Sequence, residues 1–144
     1  MNGPILAILA AVAAGVAVTL QAQMLGTLEQ RIGPLAAAAL TFASGGLVSL
    51  VILGIVRPDL SAWRAAPWWA WLGGTIGLGL IVGISFSIPR IGVTPTLSVV
   101  IASQVIVAVI LEQTGWLDAA TRTLDASRVG GLALLLIGSW LVIR

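Results

Sequence analysis

Residues 3–25 read GPILAILAAVAAGVAVTLQAQML and contain no charged side chain. A helix of about 20 such residues crosses roughly 30 Å of hydrocarbon. No Lys or Arg precedes Arg31, so the basic start of a secretory signal is missing, and the run is longer than a signal core. The stretch is therefore expected to be a retained transmembrane helix. Four more segments follow it at 34–56, 68–88, 93–112 and 128–143. The last is short but apolar throughout, which suits a span with little tilt. Lipid cannot hydrogen-bond exposed backbone, so each segment should be helical. The expected fold is an all-α integral membrane protein with five transmembrane helices in one domain, residues 1–144.

Composition agrees. Of 144 residues, 59% are apolar and 8% charged, and the mean hydropathy is +1.12. A soluble domain carries about 25% charged residues. The high pI of 11.2 does not indicate nucleic-acid binding. It reflects seven arginines against five acids, a net charge of +2, with no basic run to track phosphates. The chain has no Cys, His, Lys or Tyr. That excludes disulfides, thiolate metal sites, imidazole chemistry and Schiff bases. No enzyme activity, cofactor or metal is expected.

The connections carry turn residues. Glu29-Gln30-Arg31-Ile32-Gly33-Pro34 is expected to separate the first two spans, with Pro34 in a first helical turn. Arg57-Pro58-Asp59 closes the second span, and Pro67-Trp68-Trp69 opens the third at a membrane interface. Pro89-Arg90-Ile91-Gly92 is expected to be a tight turn. The longest loop is expected from Gln113 to Ser127, with Asp125 capping the fifth span.

Five spans place the two termini on opposite sides. Arg57, Arg64, Arg122 and Arg128 then fall on one side, and Arg31, Arg90 and Arg144 on the other. A difference of one barely biases insertion. Two readings stay open: a weakly oriented protein, or dual topology with copies pairing antiparallel.

Glycine totals 17. Close backbone approach drives helix association in lipid. Gly73/Gly77 and Gly79/Gly83 form small-xxx-small pairs. Gly131 and Gly138 share a face of the fifth span, which reads as a dimer-packing helix. Thr41, Gly45 and Ser49 form a slightly polar stripe on span two, as do Gly15, Thr19, Gln23 and Gly26 on span one.

Span four holds the strongest polar signal. Gln104 lies near its midplane, where an amide without partners is costly. Glu112 follows about 80° around the helix and about 12 Å along it, with Thr94 and Ser98 near its face. In one reading Gln104 makes an interhelical bond and Glu112 is a solvated end group. In the other, Gln104 and Ser98 contact substrate and Glu112 couples or gates. Gln21 and Gln23 are the other deep amides, and Gln21 and Thr41 complete the candidate substrate contacts.

These residues together resemble the YdcZ-like family of small bacterial inner-membrane proteins in the drug/metabolite transporter superfamily. The features carrying the resemblance are Gln21, Pro34, Gly73-Gly74, Pro89-Arg90-Ile91-Gly92, Ser103-Gln104, Glu112, Gly115, Arg128 and Gly138-Ser139-Trp140. The resemblance runs along nearly the whole chain. It implies a five-helix half-transporter acting as an antiparallel homodimer or with an oppositely oriented paralogue, with its site between the repeats. The family usually has Asp where this chain has Glu112, and an Asn often found after the span-one Gln is not evident. The distantly related four-helix exporters use an acid inside their first helix. Here no acid precedes Glu29, so their cation–proton exchange is not carried over.

The expected function is secondary transport of a small metabolite or xenobiotic across the inner membrane, with proton coupling as an option. A passive channel and a non-transporting accessory subunit are the alternatives. No charge sits at midplane, which favours a neutral, zwitterionic or weakly charged substrate. Expected partners are lipid, the small molecule and a second copy or paralogue, and no nucleic acid.

Overall fold

The computed structural model describes residues 3–144. Among these residues the long elements are all α-helices and there is no strand. They are α1 (Gly3–Ile32), α2 (Pro34–Val56), α3 (Gly73–Ile91), α4 (Val93–Thr114) and α5 (Ala126–Ile143). All five are long and apolar enough to cross a membrane, α3 together with the 3₁₀ turn Trp68–Leu72 that leads into it. The chain divides into two compact units, Met1–Arg90 and Ile91–Arg144.

The helices overrun the expected spans. α1 has 30 residues, about 45 Å at 1.5 Å per residue, half again the hydrocarbon thickness. Glu29 to Ile32 are therefore helical, not a linker. α3 likewise runs through Pro89 to Ile91, so the expected tight turn at Pro89–Gly92 is not one. A proline in the last helical turn removes only the bond to the Ser85 carbonyl, and the helix has little left to lose.

What ends these helices is one glycine each. Gly33, the only residue between α1 and α2, has φ 81° and ψ 163°, and Gly92, between α3 and α4, has φ 87° and ψ 164°. This backbone region is essentially closed to residues with a Cβ. At each joint the glycine carbonyl accepts the first bond of the next helix, from Ala37 N–H at 3.0 Å and Thr96 N–H at 3.3 Å. Arg-Ile-Gly precedes both helices, 59 residues apart. The burial register also repeats: Leu25, Gly26 and Glu29 before the first joint, Ile84, Ser85 and Ile88 before the second, then Ala37 and Thr96 after them. The two joints are one device used twice.

In the first unit α1 packs against α2. It meets α3 at Gly26, where a Cβ would come 2.5 Å from Ile88 Cγ2. Gly77 of α3 faces Phe42 of α2 in the same way, at 3.3 Å. The other glycines of the two small-xxx-small pairs, Gly73, Gly79 and Gly83, have open space where a side chain would go. The connection from Arg57 to Leu72 is longer than the α4–α5 loop and holds a second 3₁₀ turn, Ser61–Ala65. Trp63 and Trp71 meet there edge to face, 5.7 Å apart, with exposed indoles suited to a membrane interface.

In the second unit α4 packs against α5 and against the 3₁₀ turn Trp116–Asp118. Gly115, left-handed at φ 67°, ends α4 and donates to the Leu111 carbonyl at 2.8 Å. The loop is tied back by Arg122 N–H to the Glu112 carbonyl at 3.2 Å and by the Gln113 amide to the Arg122 carbonyl. Asp125 caps α5 as expected.

Gly33→Ala is expected to cost about 1–3 kcal/mol by forcing a Cβ into that backbone region. Gly45→Ala, helical and in open space, is expected to be neutral or mildly stabilising. Thermal unfolding of the detergent-purified variants checks both.

Candidate transport site

Hydroxyls in the spans are mostly spent on their own helices. Thr19 donates to the Gly15 carbonyl at 3.0 Å, Thr41 to Ala37 at 2.9 Å, and Ser49 to Gly45 at 2.8 Å. Ser87 and Ser103 do the same with Gly83 and Val99, each at 2.8 Å. This back-bonding satisfies a hydroxyl without any neighbour, so the polar stripes do not by themselves require a cavity. Thr41 keeps a half-buried position but has its donor engaged.

The amides differ. Gln21, Gln23 and Gln104 are exposed, and among the described residues none has a side-chain hydrogen bond. A glutamine cannot satisfy its NH₂ and carbonyl within one helical turn as a serine can. These groups need a polar surface from outside their own helix.

Ser98 and Gly138 are brought together in a groove of about 350 Å³ between α4 and α5. Ile101, Leu134, Leu135 and Ser139 are also among its lining residues. The Ser139 hydroxyl donates to the Ser98 carbonyl at 3.3 Å, joining the two helices. The groove is otherwise apolar. Gln104 is not in it: six residues beyond Ser98 place it about 120° around α4. Gly131 lies outside the groove lining, and neither it nor Gly138 has an atom within 4 Å of an added Cβ.

Glu112 is an ion-pair partner. Its Oε2 lies 2.9 Å from Arg128 Nη2 at the start of α5, with both side chains about one-third exposed. The carboxylate sits near the C-terminus of α4, where the helix dipole disfavours negative charge. Arg128 offsets that and ties α4 to α5.

A second pair was not foreseen from the sequence. Glu29, in the last turn of α1, is only 9% exposed and lies 3.5 Å from Arg90 Nη1 of α3. The available signal was its register. Glu29 falls on the same face as Ala22, Leu25 and Gly26, which is the buried face of α1. Reading residues 29–34 as a linker concealed it.

Outside the spans, one aspartate closes a local Asx turn and another caps α5. Asp59 Oδ1 accepts from Ser61 N–H at 2.8 Å, which lowers its pKa below the ordinary range. Asp125 Oδ1 accepts from Arg128 N–H and from the Ser127 hydroxyl, both at 2.8 Å. The Arg128 backbone bond is the main cause of its lowered pKa.

The family model described as "Putative inner membrane exporter, YdcZ" matches residues 6–141. The chain belongs to the YdcZ family. It is thus a multi-pass inner-membrane protein with a membrane-transport role, carried on five apolar helices. No curated protein and no solved structure matched it. The matched region covers Gln21, Gln104, Glu112 and both ion pairs.

Because the folded-state pKa of Asp125 is lowered, its cap is fully present above the ordinary aspartate value of about 3.9. It is lost as pH falls through the lower folded value. The Arg128 amide proton shift should titrate with a midpoint below that ordinary value. In Asp125→Asn, which still caps, the titration should vanish. Solution NMR of the protein in micelles checks this.

Proposed function

We propose that this YdcZ-family chain is a secondary exporter of a small metabolite or xenobiotic, working as an antiparallel dimer. The observation that carries the reading is the set of span amides without hydrogen-bond partners. Hydroxyls at similar depth satisfy themselves, and Gln21 and Gln104 do not. A polar substrate, or water in a crevice, is the chemistry that would satisfy them. Gln104 and Gln21 are the substrate-reading groups. Ser98 lies on a different face of α4, in the α4–α5 groove, and Thr41 contributes only its oxygen, its donor being held by Ala37. Transport, rather than an enzymatic reaction, is the role assigned to these side chains.

The dimer is supported by two independent features. The arginines divide four against three across a five-span topology, too even to fix one orientation. Gly131 and Gly138 leave open small-residue surface on α5, which suits close approach of another helix. Little of each span is buried within the chain, from none of the apolar window in α2 and α5 to 17% in the third span. A second copy, or an oppositely oriented paralogue, would cover part of the rest.

Glu112 is assigned a gating or coupling role. Its pair with Arg128 joins α4 to α5 at partial exposure. Such a pair contributes about 0–1 kcal/mol, weak enough to exchange during a cycle. The absence of charge at midplane favours a neutral, zwitterionic or weakly charged substrate.

Reconstitution in proteoliposomes, with a panel of cations, anions and neutral metabolites, tests the reading. Saturable flux is expected for at least one class. Gln104→Ala should weaken apparent affinity about tenfold, the loss of roughly 1.4 kcal/mol of hydrogen bonding. Glu112→Gln should alter turnover more than affinity. Non-saturating ion currents would instead indicate a channel.

A further inference from the structure

We infer that Glu29 and Arg90 form a latch controlling whether the α1–α3 seam is open or closed, an inference that rests on the exporter reading above. Glu29 carries the only buried charge among the described residues. It sits at the C-terminal end of α1, where the helix dipole opposes it. Burying a carboxylate there is tolerable only with a cation at hand, and Arg90 supplies it from α3.

The pair is held loosely. At 3.5 Å it exceeds the 2.7–2.9 Å or so of a charge-assisted hydrogen bond, whereas Glu112–Arg128 meets that range at 2.9 Å. Arg90 also has a second set of contacts on its own helix. Its Nη1 donates to the Phe86 carbonyl, and its Cζ lies 3.5 Å from the Phe86 ring centroid. Releasing Glu29 therefore does not strand the guanidinium. The same Nη1 serves both contacts, so Arg90 keeps one of them when Glu29 is withdrawn.

The neighbouring structure suits such a switch. Gly26 and Ile88 close the seam so tightly that no side chain fits between them. Just before Arg90, α3 lacks one backbone hydrogen bond and holds one unpartnered hydroxyl. The Ser85 hydroxyl is buried with no partner, and Pro89 has no N–H for the Ser85 carbonyl. This is the part of α3 that can yield when the pair opens.

The chain contains no cysteine, so thiol labelling can test the latch directly. Leu25→Cys, on the buried face of α1 at a site 1% exposed, reports the seam. Ala38→Cys, a buried position on α2, reports general loosening. A water-soluble maleimide is the probe, applied to full-length protein in proteoliposomes.

With Glu29→Gln or Arg90→Ala, Leu25→Cys should react about tenfold faster or more, as a local opening is released. Ala38→Cys should be unchanged. The charge swap Glu29→Arg with Arg90→Glu should restore protection. Equal acceleration at both cysteines would make the pair a structural staple and overturn the latch. So would unchanged labelling at Leu25→Cys, or loss of assembly in the isosteric Glu29→Gln. Labelling needs no substrate, so a silent flux panel would sink the exporter reading without deciding this result.

Discussion

Lipid offers no hydrogen bonds, and that constraint orders this molecule. Every backbone polar group in a span has to be satisfied by its own helix. Most of the serine and threonine hydroxyls follow the same rule and bond back to carbonyls one turn earlier. What remains to be satisfied is a short set of groups: the glutamine amides, the buried Ser85 hydroxyl and the ends of helices. Those are the places where a partner, a substrate or an ion pair has to act.

The helix ends show two solutions. At two joints a single glycine ends one helix and starts the next in a backbone region other residues avoid. This keeps the connection to one residue and places an arginine two positions before it. At two other places an acid near a helix C-terminus is met by an arginine from another helix, Glu29 by Arg90 and Glu112 by Arg128. Each pair offsets the helix dipole and joins two helices where apolar contact alone is weak in lipid. The two pairs differ in length and in surroundings: Glu29 is buried against a half-exposed Arg90, whereas Glu112 and Arg128 are both about one-third exposed.

Membership of an exporter family and unpartnered amides point the same way. A transporter needs polar groups that water or substrate can reach part of the time, and it needs contacts that break at low cost. Gln104 lies away from the α4–α5 groove, so the groove around Ser98 and Gly138 and the amide serve separate surfaces of α4. The glycines of α5 with open space around them suit a helix that meets another chain.

The number, type and approximate place of the five helices were legible in the sequence, because length and apolarity are properties of single segments. Asp125 as a cap and Pro34 as a first-turn residue were legible for the same reason: both act within a few residues. The reach of α1 and α3 was not, since polar residues such as Glu29 and Arg90 read as linker until a partner helix lets them stay helical. The candidate site divided in the same way. Gln21, Gln104 and Glu112 stand out by type and depth alone. That Thr41 is occupied by its own helix, that Gln104 misses the groove, and that Glu29 is the buried acid were decided by tertiary structure. Burial and pairing depend on which faces meet, and no single helix carries that information.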